Sequence, residues 1–100
     1  MAVAPKTGAE TERLALSASE QQLLDDLYAV VILDSDRTTF AEVEAACVAL
    51  FGYTPDEAAA LALKVHTTGE AVAAVMARQP ATEAIGALRR GNVRARMDRL

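Results

Sequence analysis

The sequence predicts a small α+β domain in the order β-α-α-β-α-β, with a three-stranded antiparallel sheet and three helices on one face. Three observations lead to this prediction. Residues 28–33 and 93–97 have the β-branched or alternating apolar patterns of short strands. Capping-box patterns at Thr39 and Thr54 begin two helices. Three amphipathic helices can cover one sheet face, and the arginines of the last strand require that the other face meets solvent.

The first strand, Tyr28–Leu33, ends at a polar stop, Asp34-Ser35-Asp36. In the helix that follows Thr39, apolar residues recur at helical spacing up to Gly52, which is a suitable stop. These apolar residues are Phe40, Val43, Cys47, Leu50 and Phe51. The second helix has Pro55 at its first position and extends to about His66. Its larger apolar side chains are Leu61, Leu63 and Val65.

After a turn at Gly69, residues 71–76 are the second strand candidate, although their alanine content leaves a helix open as well. The third helix begins at Gln79/Pro80 and stops at Gly91. Its candidate buried residues are Ile85 and Leu88. In the last strand Val93, Ala95 and Met97 alternate with Arg94, Arg96 and Asp98, so one face is apolar and the other charged.

The domain is therefore expected to span residues 28–100, and residues 1–27 are expected to be a mobile, acidic N-terminal extension. Leucines between positions 14 and 27 weakly indicate a short helix near residues 19–26.

Composition excludes several classes of protein. A net charge of −4 argues against a general nucleic-acid-coating role, even though residues 89–100 hold five arginines against one aspartate. A single cysteine cannot form an internal disulfide, and a single histidine argues against a self-contained metal site or catalytic triad. We therefore expect that the protein is not an enzyme and that it has no catalytic residue, metal or cofactor.

No apolar run reaches about 18 residues, and residues 1–10 lack the apolar core of a signal peptide. We therefore expect a cytoplasmic protein without membrane contact.

Three blocks of this sequence resemble the ClpS family, the bacterial adaptors of the Clp proteases. They are Tyr28–Phe40 (YAVVILDSDRTTF), Leu50–Ala58 (LFGYTPDEA) and Leu61–Ala71 (LALKVHTTGEA). Their order and spacing fit the family without an internal gap, and the resemblance covers about residues 28–97. It implies the same β-α-α-β-α-β fold.

The resemblance also implies a function. Adaptors of this family bind the N-terminal residue of a substrate, typically Leu, Phe, Tyr or Trp, and deliver the substrate to an AAA+ unfoldase that is ClpA- or ClpC-like. The implied binding site for the α-amine consists of Asp34, Ser35, Asp36 and His66. The implied hydrophobic pocket consists of Ile32, Thr38, Phe40, Ala62, Val65 and Val93. The expected partners are the unfoldase and substrate N-terminal peptides, and we expect the adaptor to be a monomer.

This chain departs from the family pattern at several of these positions. The family usually has Met where Phe40 and Ala62 stand, and an Asn-Asp pair where this chain has Asp34-Ser35. On the surface that faces the unfoldase, an acidic and a basic residue are replaced by Gln79 and Ala84.

Each of these residues also has a purely structural interpretation. His66 can simply be a favourable charge at a helix end, and Asp34 and Asp36 can be turn and cap residues. Phe40 and Cys47 can be core, the C-terminal arginines can be a solvated face, and the acidic extension can be a plain tail or a segment that engages the unfoldase.

Two functions are therefore considered first. One is an N-degron adaptor, and the other is a ClpS-like interaction domain that has lost N-degron binding. The C-terminal domain of the ribosomal stalk protein is an example of a similar arrangement with a different function. A His–Asp dyad enzyme is a distant third, since no nucleophile or oxyanion loop is evident.

Overall fold

A computed structural model describes residues 26–100 of the 100-residue chain. The expected N-terminal extension, residues 1–27, therefore lies almost wholly outside the described residues. The short helix expected near residues 19–26 lies outside them in the same way, apart from Asp26. That residue precedes the first strand, and its carboxylate accepts a hydrogen bond from the Arg78 guanidinium at 2.9 Å.

Across residues 26–100 the chain forms three strands and three helices in the predicted order. They are β1 (Leu27–Leu33), α1 (Phe40–Phe51), α2 (Pro55–Thr68), β2 (Glu70–Ala77), α3 (Arg78–Arg90) and β3 (Arg94–Arg99). The sheet is antiparallel in the order β2-β1-β3, so the first strand lies in the centre. The predicted fold class is confirmed, and the ambiguous alanine-rich segment is a strand.

The strand register shows which residues of β2 and β3 lie beside the end of β1. Leu33, the last residue of β1, lies opposite Glu70 of β2 and Arg94 of β3. The register between β1 and β2 shifts once, between Val30 and Val31, where β2 contains one extra residue. The polar segment after Leu33 therefore leaves the sheet beside the start of both outer strands.

Both predicted capping boxes are present. The Thr54 hydroxyl accepts a hydrogen bond from the Glu57 backbone N–H at 3.2 Å, and the Glu57 carboxylate accepts one from the Thr54 N–H at 2.9 Å. Thr39 and Glu42 form the same reciprocal pair at the start of α1. Each box satisfies two backbone groups that would otherwise lack partners at a helix start, which fixes where the two helices begin.

Glycines end α1 and α2 in the left-handed conformation. Gly52 has φ 71° and Gly69 has φ 94°, a region that costs a residue with a Cβ atom about 1–2 kcal/mol. The second helix extends two residues beyond the predicted end at His66, to the residue before Gly69. The third helix begins one residue earlier than predicted, directly after β2 and without a side-chain cap.

The hydrophobic core lies between the sheet and the three helices. Its largest fully buried side chains belong to every layer: Ile32, Leu88, Val30, Val65, Val93 and Cys47. Small residues fill much of the remaining space, and Ala58, Ala62 and Ala81 are almost completely buried. Because alanines face the sheet, the helices pack close to it. Leu63 is one of the larger apolar side chains that the sequence assigns to α2, but it is 54% exposed.

The outer sheet face has no helix, yet Val31 in its centre is only 3% exposed. Arg96 of β3 lies opposite Val31, and its guanidinium makes two hydrogen bonds to Glu70 of β2, at 2.9 and 3.0 Å. Asp98 accepts two more. This ion pair spans the central strand and covers Val31. Hydrogen bonding to Arg96 lowers the pKa of Glu70, and the two carboxylates raise the pKa of Arg96.

Within residues 26–100, none of the helices combines the length and hydrophobicity that a membrane crossing requires.

We predict that Thr54→Ala lowers the free energy of unfolding by about 1 kcal/mol, because it removes the hydroxyl that caps α2. The matched control is Thr67→Ala, an exposed threonine on the same helix whose hydroxyl bonds back to the Leu63 and Lys64 carbonyls of that helix. Its effect should stay within about 0.5 kcal/mol. Urea denaturation of both variants measures the difference, and equal losses would contradict the capping role.

Candidate functional site

The candidate site lies where β1 leaves the sheet and α2 ends. The backbone N–H of Asp34 donates to the Gly69 carbonyl at 2.9 Å, and the Gly69 N–H donates to the Val65 carbonyl at the same distance. The left-handed turn at Gly69 thus joins the end of α2 to the residue after β1. This backbone connection places the Asp34 side chain beside His66, in the last turn of α2.

Asp34 and His66 form the polar centre of the site. The Asp34 Oδ1 atom lies 3.8 Å from His66 Nδ1, and the two side chains are 40% and 59% exposed. This separation exceeds hydrogen-bond distance, so neither group satisfies the other. A third group with several N–H donors can therefore approach both from solvent.

The aromatic ring of Phe40 lies against His66. Their ring centroids are 5.2 Å apart with the planes at 61°, an edge-to-face contact. Phe40 is 44% exposed because it is the first residue of α1, at the rim of the domain. The interpretation of Phe40 as core is therefore wrong, and its ring borders the polar pair.

The loop from Ser35 to Thr38 forms a tight turn. The Ser35 carbonyl accepts a hydrogen bond from the Thr38 N–H at 3.1 Å, and the Ser35 hydroxyl accepts one from the Arg37 N–H at 3.2 Å. Asp36 is exposed at the tip of this turn. A surface cavity of about 420 Å³ is lined by this loop and one β3 residue: Asp34, Ser35, Asp36, Arg37 and Arg94.

The four remaining predicted pocket residues, all apolar, are buried in the core: Ile32, Ala62, Val65 and Val93. Each is close in sequence to a residue of the rim. Val65 precedes His66, and Ala62 lies one turn before it on the same helix face.

Asn92 connects the site loop to the start of β3, and sequence reasoning missed it. Its side-chain N–H₂ group donates to the Arg37 carbonyl at 2.7 Å and to the Glu42 carboxylate at 3.2 Å. Its own carbonyl accepts from the Thr38 hydroxyl at 2.8 Å. Asn92 has φ 66°, which Asn tolerates better than most residues. The Gly91-Asn92 dipeptide is a turn signal, but its long-range partners leave no local pattern.

Glu42 shares this arrangement. Its carboxylate accepts hydrogen bonds from the Thr39 backbone and from Asn92, and these bonds lower its pKa from the ordinary value of 4.5. The charged carboxylate is thus the form that the loop holds. One residue therefore caps α1 and anchors the loop–β3 junction.

The described residues also include a buried thiol. Cys47 is fully buried, and desolvation raises its pKa to about 11, so it is an inert core residue. In residues 26–100 there is no group of three or more His, Cys, Asp or Glu side chains that could hold a metal ion.

Comparison with known proteins finds a family whose model this chain matches. The family model described as "ATP-dependent Clp protease adaptor protein ClpS" matches residues 24–96. Eighteen chains of solved structures are significantly similar in fold. One is Agrobacterium tumefaciens ClpS2 bound to L-phenylalaninamide, with a TM-score of 0.66 and 23% identity over 76% of this chain and 99% of that chain. No curated protein sequence is significantly similar to this one.

We predict that Asn92→Gly lowers the free energy of unfolding by about 1–2 kcal/mol, because the amide's hydrogen bonds are lost while the backbone keeps its conformation. Asn92→Ala should cost about 1 kcal/mol more, since a Cβ atom is disfavoured at φ 66°. Urea denaturation compares the two variants. A glycine variant as stable as the wild type would show that the amide anchors nothing.

Proposed function

Since this chain belongs to the ClpS family of Clp protease adaptors, we propose that it binds the N-terminal residue of protein substrates and delivers them to a Clp AAA+ unfoldase. The observation that carries the binding half is the unsatisfied pair of Asp34 and His66 beside the Phe40 ring. The delivery half rests on the family match. The partner is a ClpA- or ClpC-like unfoldase.

The chemistry of the amine supports the assignment of Asp34 and His66. An α-ammonium group has three N–H donors and one positive charge at neutral pH. With Asp34 Oδ1 and His66 Nδ1 3.8 Å apart, an ammonium nitrogen at about 2.8 Å can reach both acceptors. In this arrangement His66 accepts through a neutral ring nitrogen. Ser35 and Asp36, on the same loop, supply further oxygen atoms for the third donor.

The first side chain of the substrate is proposed to enter beside Phe40. Below the rim lie the buried apolar residues Ala62 and Val65, with Ile32 at the end of β1. Each Å² of apolar surface buried there contributes about 25 cal/mol. The fold relative ClpS2 binds L-phenylalaninamide, which combines a free α-amine with a benzyl side chain. The same combination suits a charged pair bordered by an aromatic ring.

The second candidate function is a ClpS-like interaction domain that has lost N-degron binding. Two observations favour it. The Phe40 ring packs on His66, and the apolar residues Ile32, Ala62 and Val65 of the proposed pocket are buried in the core. The two functions differ in whether the ring moves aside for a ligand.

The unfoldase is proposed to dock on the surface that includes Gln79 and Ala84 of α3. Ala84 lines a groove of about 360 Å³ between α1, β2 and α3, together with apolar residues that include Phe51 and Met76. With an uncharged amide at position 79 and a methyl group at position 84, these two positions offer no charge to a partner, and the charged residues that line the groove are Glu83 and Arg90 at its edge on α3. This suits an unfoldase that has an apolar docking face.

We predict that a peptide beginning with Phe binds at least about tenfold more tightly than its N-acetylated form, because acetylation removes the charge and two of three donors. Asp34→Ala and His66→Ala should each weaken the free-amine peptide by a similar factor and leave the acetylated peptide unaffected. Fluorescence anisotropy with labelled peptides measures both effects.

The control variant for these measurements is Asp56→Asn, which removes an exposed carboxylate from the first turn of α2, at the opposite end of the helix from His66. Its affinity should equal that of the wild type. Equal affinities for free and acetylated peptides would overturn the N-terminal-residue function and leave the interaction domain.

We predict that Phe40 and Ala62 set the ligand preference. With the ring aside, the methyl group of Ala62 leaves a wide pocket, so Trp and Phe should bind more tightly than Leu by about 1 kcal/mol. Ala62→Met should narrow the pocket and reverse this order. If the ring closes the pocket, the wild type binds none of the three, and Phe40→Ala should create binding. No binding by the wild type, Phe40→Ala or Ala62→Met would exclude the adaptor function.

A further inference from the structure

We propose that Arg37 and Arg94 form an anion subsite that binds a side-chain carboxylate of the second or third substrate residue, so that the preferred N-degrons combine an apolar first residue with an acidic one behind it. This inference rests on the proposed function and specifies its substrate class. It concerns a cavity next to the amine site, not the amine site itself.

The cavities at the loop end of the sheet share one arginine. The first, of about 420 Å³, lies between the Asp34–Arg37 loop and Arg94. The second, of about 500 Å³, continues from Arg94 along β3 to Arg89 and Arg96. Because Arg94 lines both, the two cavities adjoin at its side chain. The two cavities therefore form a trough beside Asp34 that is lined by the carboxylates of Asp34 and Asp36 and by the guanidinium groups of several arginines.

Strand register places Arg94 close to the amine site. It lies directly opposite Leu33, and Leu33 is followed by Asp34. Directly opposed residues in an antiparallel pair have Cα atoms about 4.5–5.5 Å apart. An extended peptide advances about 3.3 Å per residue, so its second and third residues lie within about 7 Å of the first. An arginine side chain can span that distance.

The two arginines are held by the same anchor. Asn92 binds the Arg37 carbonyl through its side chain and precedes Arg94 by two residues. The loop and the start of β3 are thus fixed relative to each other. The backbone positions that carry Arg37 and Arg94 are thus set, and both side chains extend from them into solvent.

The charges of these two side chains are not used elsewhere in the described structure. Arg78 pairs with Asp26, Arg96 pairs with Glu70 and Asp98, and Arg89 donates to the Ala95 carbonyl. Among residues 26–100, the guanidinium groups of Arg37 and Arg94 make neither a hydrogen bond nor an ion pair. Both are exposed, in a chain of net charge −4.

The neighbouring carboxylates make the subsite selective. A lone anion entering the trough is repelled by Asp34 and Asp36 as well as attracted by the arginines. When an α-ammonium binds at Asp34, its positive charge offsets one of the two carboxylates, and the repulsion falls. The subsite therefore suits an anion that belongs to the same peptide as a free amine.

The test measures four peptides that begin Phe-Glu-Gly, Phe-Gln-Gly, Phe-Gly-Glu and Phe-Gly-Gln, each free and N-acetylated, by fluorescence anisotropy on the full chain. At low salt the better glutamate peptide should bind about three- to fivefold more tightly than its glutamine partner, and the ratio should shrink at 0.5 M salt. Arg94→Gln and Arg37→Gln should each reduce the ratio towards one and leave glutamine peptides unchanged.

The control is Arg90→Gln, which removes the same charge from the groove on the other side of α3 and should preserve the ratio. Free-amine peptides that bind with equal affinity for Glu and Gln would overturn the anion subsite alone. A ratio that survives both arginine substitutions would also overturn it. Loss of the difference between free and acetylated peptides would overturn the proposed function, and the subsite with it.

Discussion

The side-chain amide of Asn92 holds together three segments that are distant in sequence: the loop after β1, the first turn of α1 and the start of β3. The loop has few contacts of its own, since Asp36 and Arg37 are exposed and Ser35 is only half-buried. Its shape therefore depends on this amide and on the backbone bond from Asp34 to Gly69. Each polar group that is proposed to contact the ligand lies on a segment that one of these two connections holds in place, or next to such a segment.

The two connections position different parts of the candidate site. The Gly69 turn brings His66 to Asp34, and Asn92 sets the position of the loop that follows. Both use a residue in the left-handed region, where the chain reverses sharply at the end of a helix. The ends of two helices thus meet the same end of the central strand, where the candidate site lies.

Local sequence signals predicted most of the fold. The Thr39 and Thr54 boxes and the stops at Gly52 and Gly69 involve residues within a few positions of one another, so their patterns can be read directly. The start of the third helix has a weaker local signal than the starts of the other two. The third helix begins at Arg78 because it follows β2 without a loop, and no capping residue marks that junction.

The site was predicted through family resemblance more than through pattern. Asp34 and His66 do meet, but their pairing depends on a backbone bond between residues 34 and 69 that leaves no local signal. Helical spacing grouped Phe40 with buried residues, whereas its place in the first turn leaves the ring exposed at the rim. Arg96 was expected on a wet face, yet its ion pairs shield Val31.

The burial of Cys47 has a practical consequence. It is the sole thiol of the chain, and it lies fully buried on the inner face of α1. Alkylating reagents attack thiolates, so modification requires α1 to lift from the sheet and the side chain to ionise in water. Alkylation of Cys47 in the native protein therefore measures that opening. Its reaction rate reports how often the helix that bears Phe40 detaches, without any label being introduced at the surface.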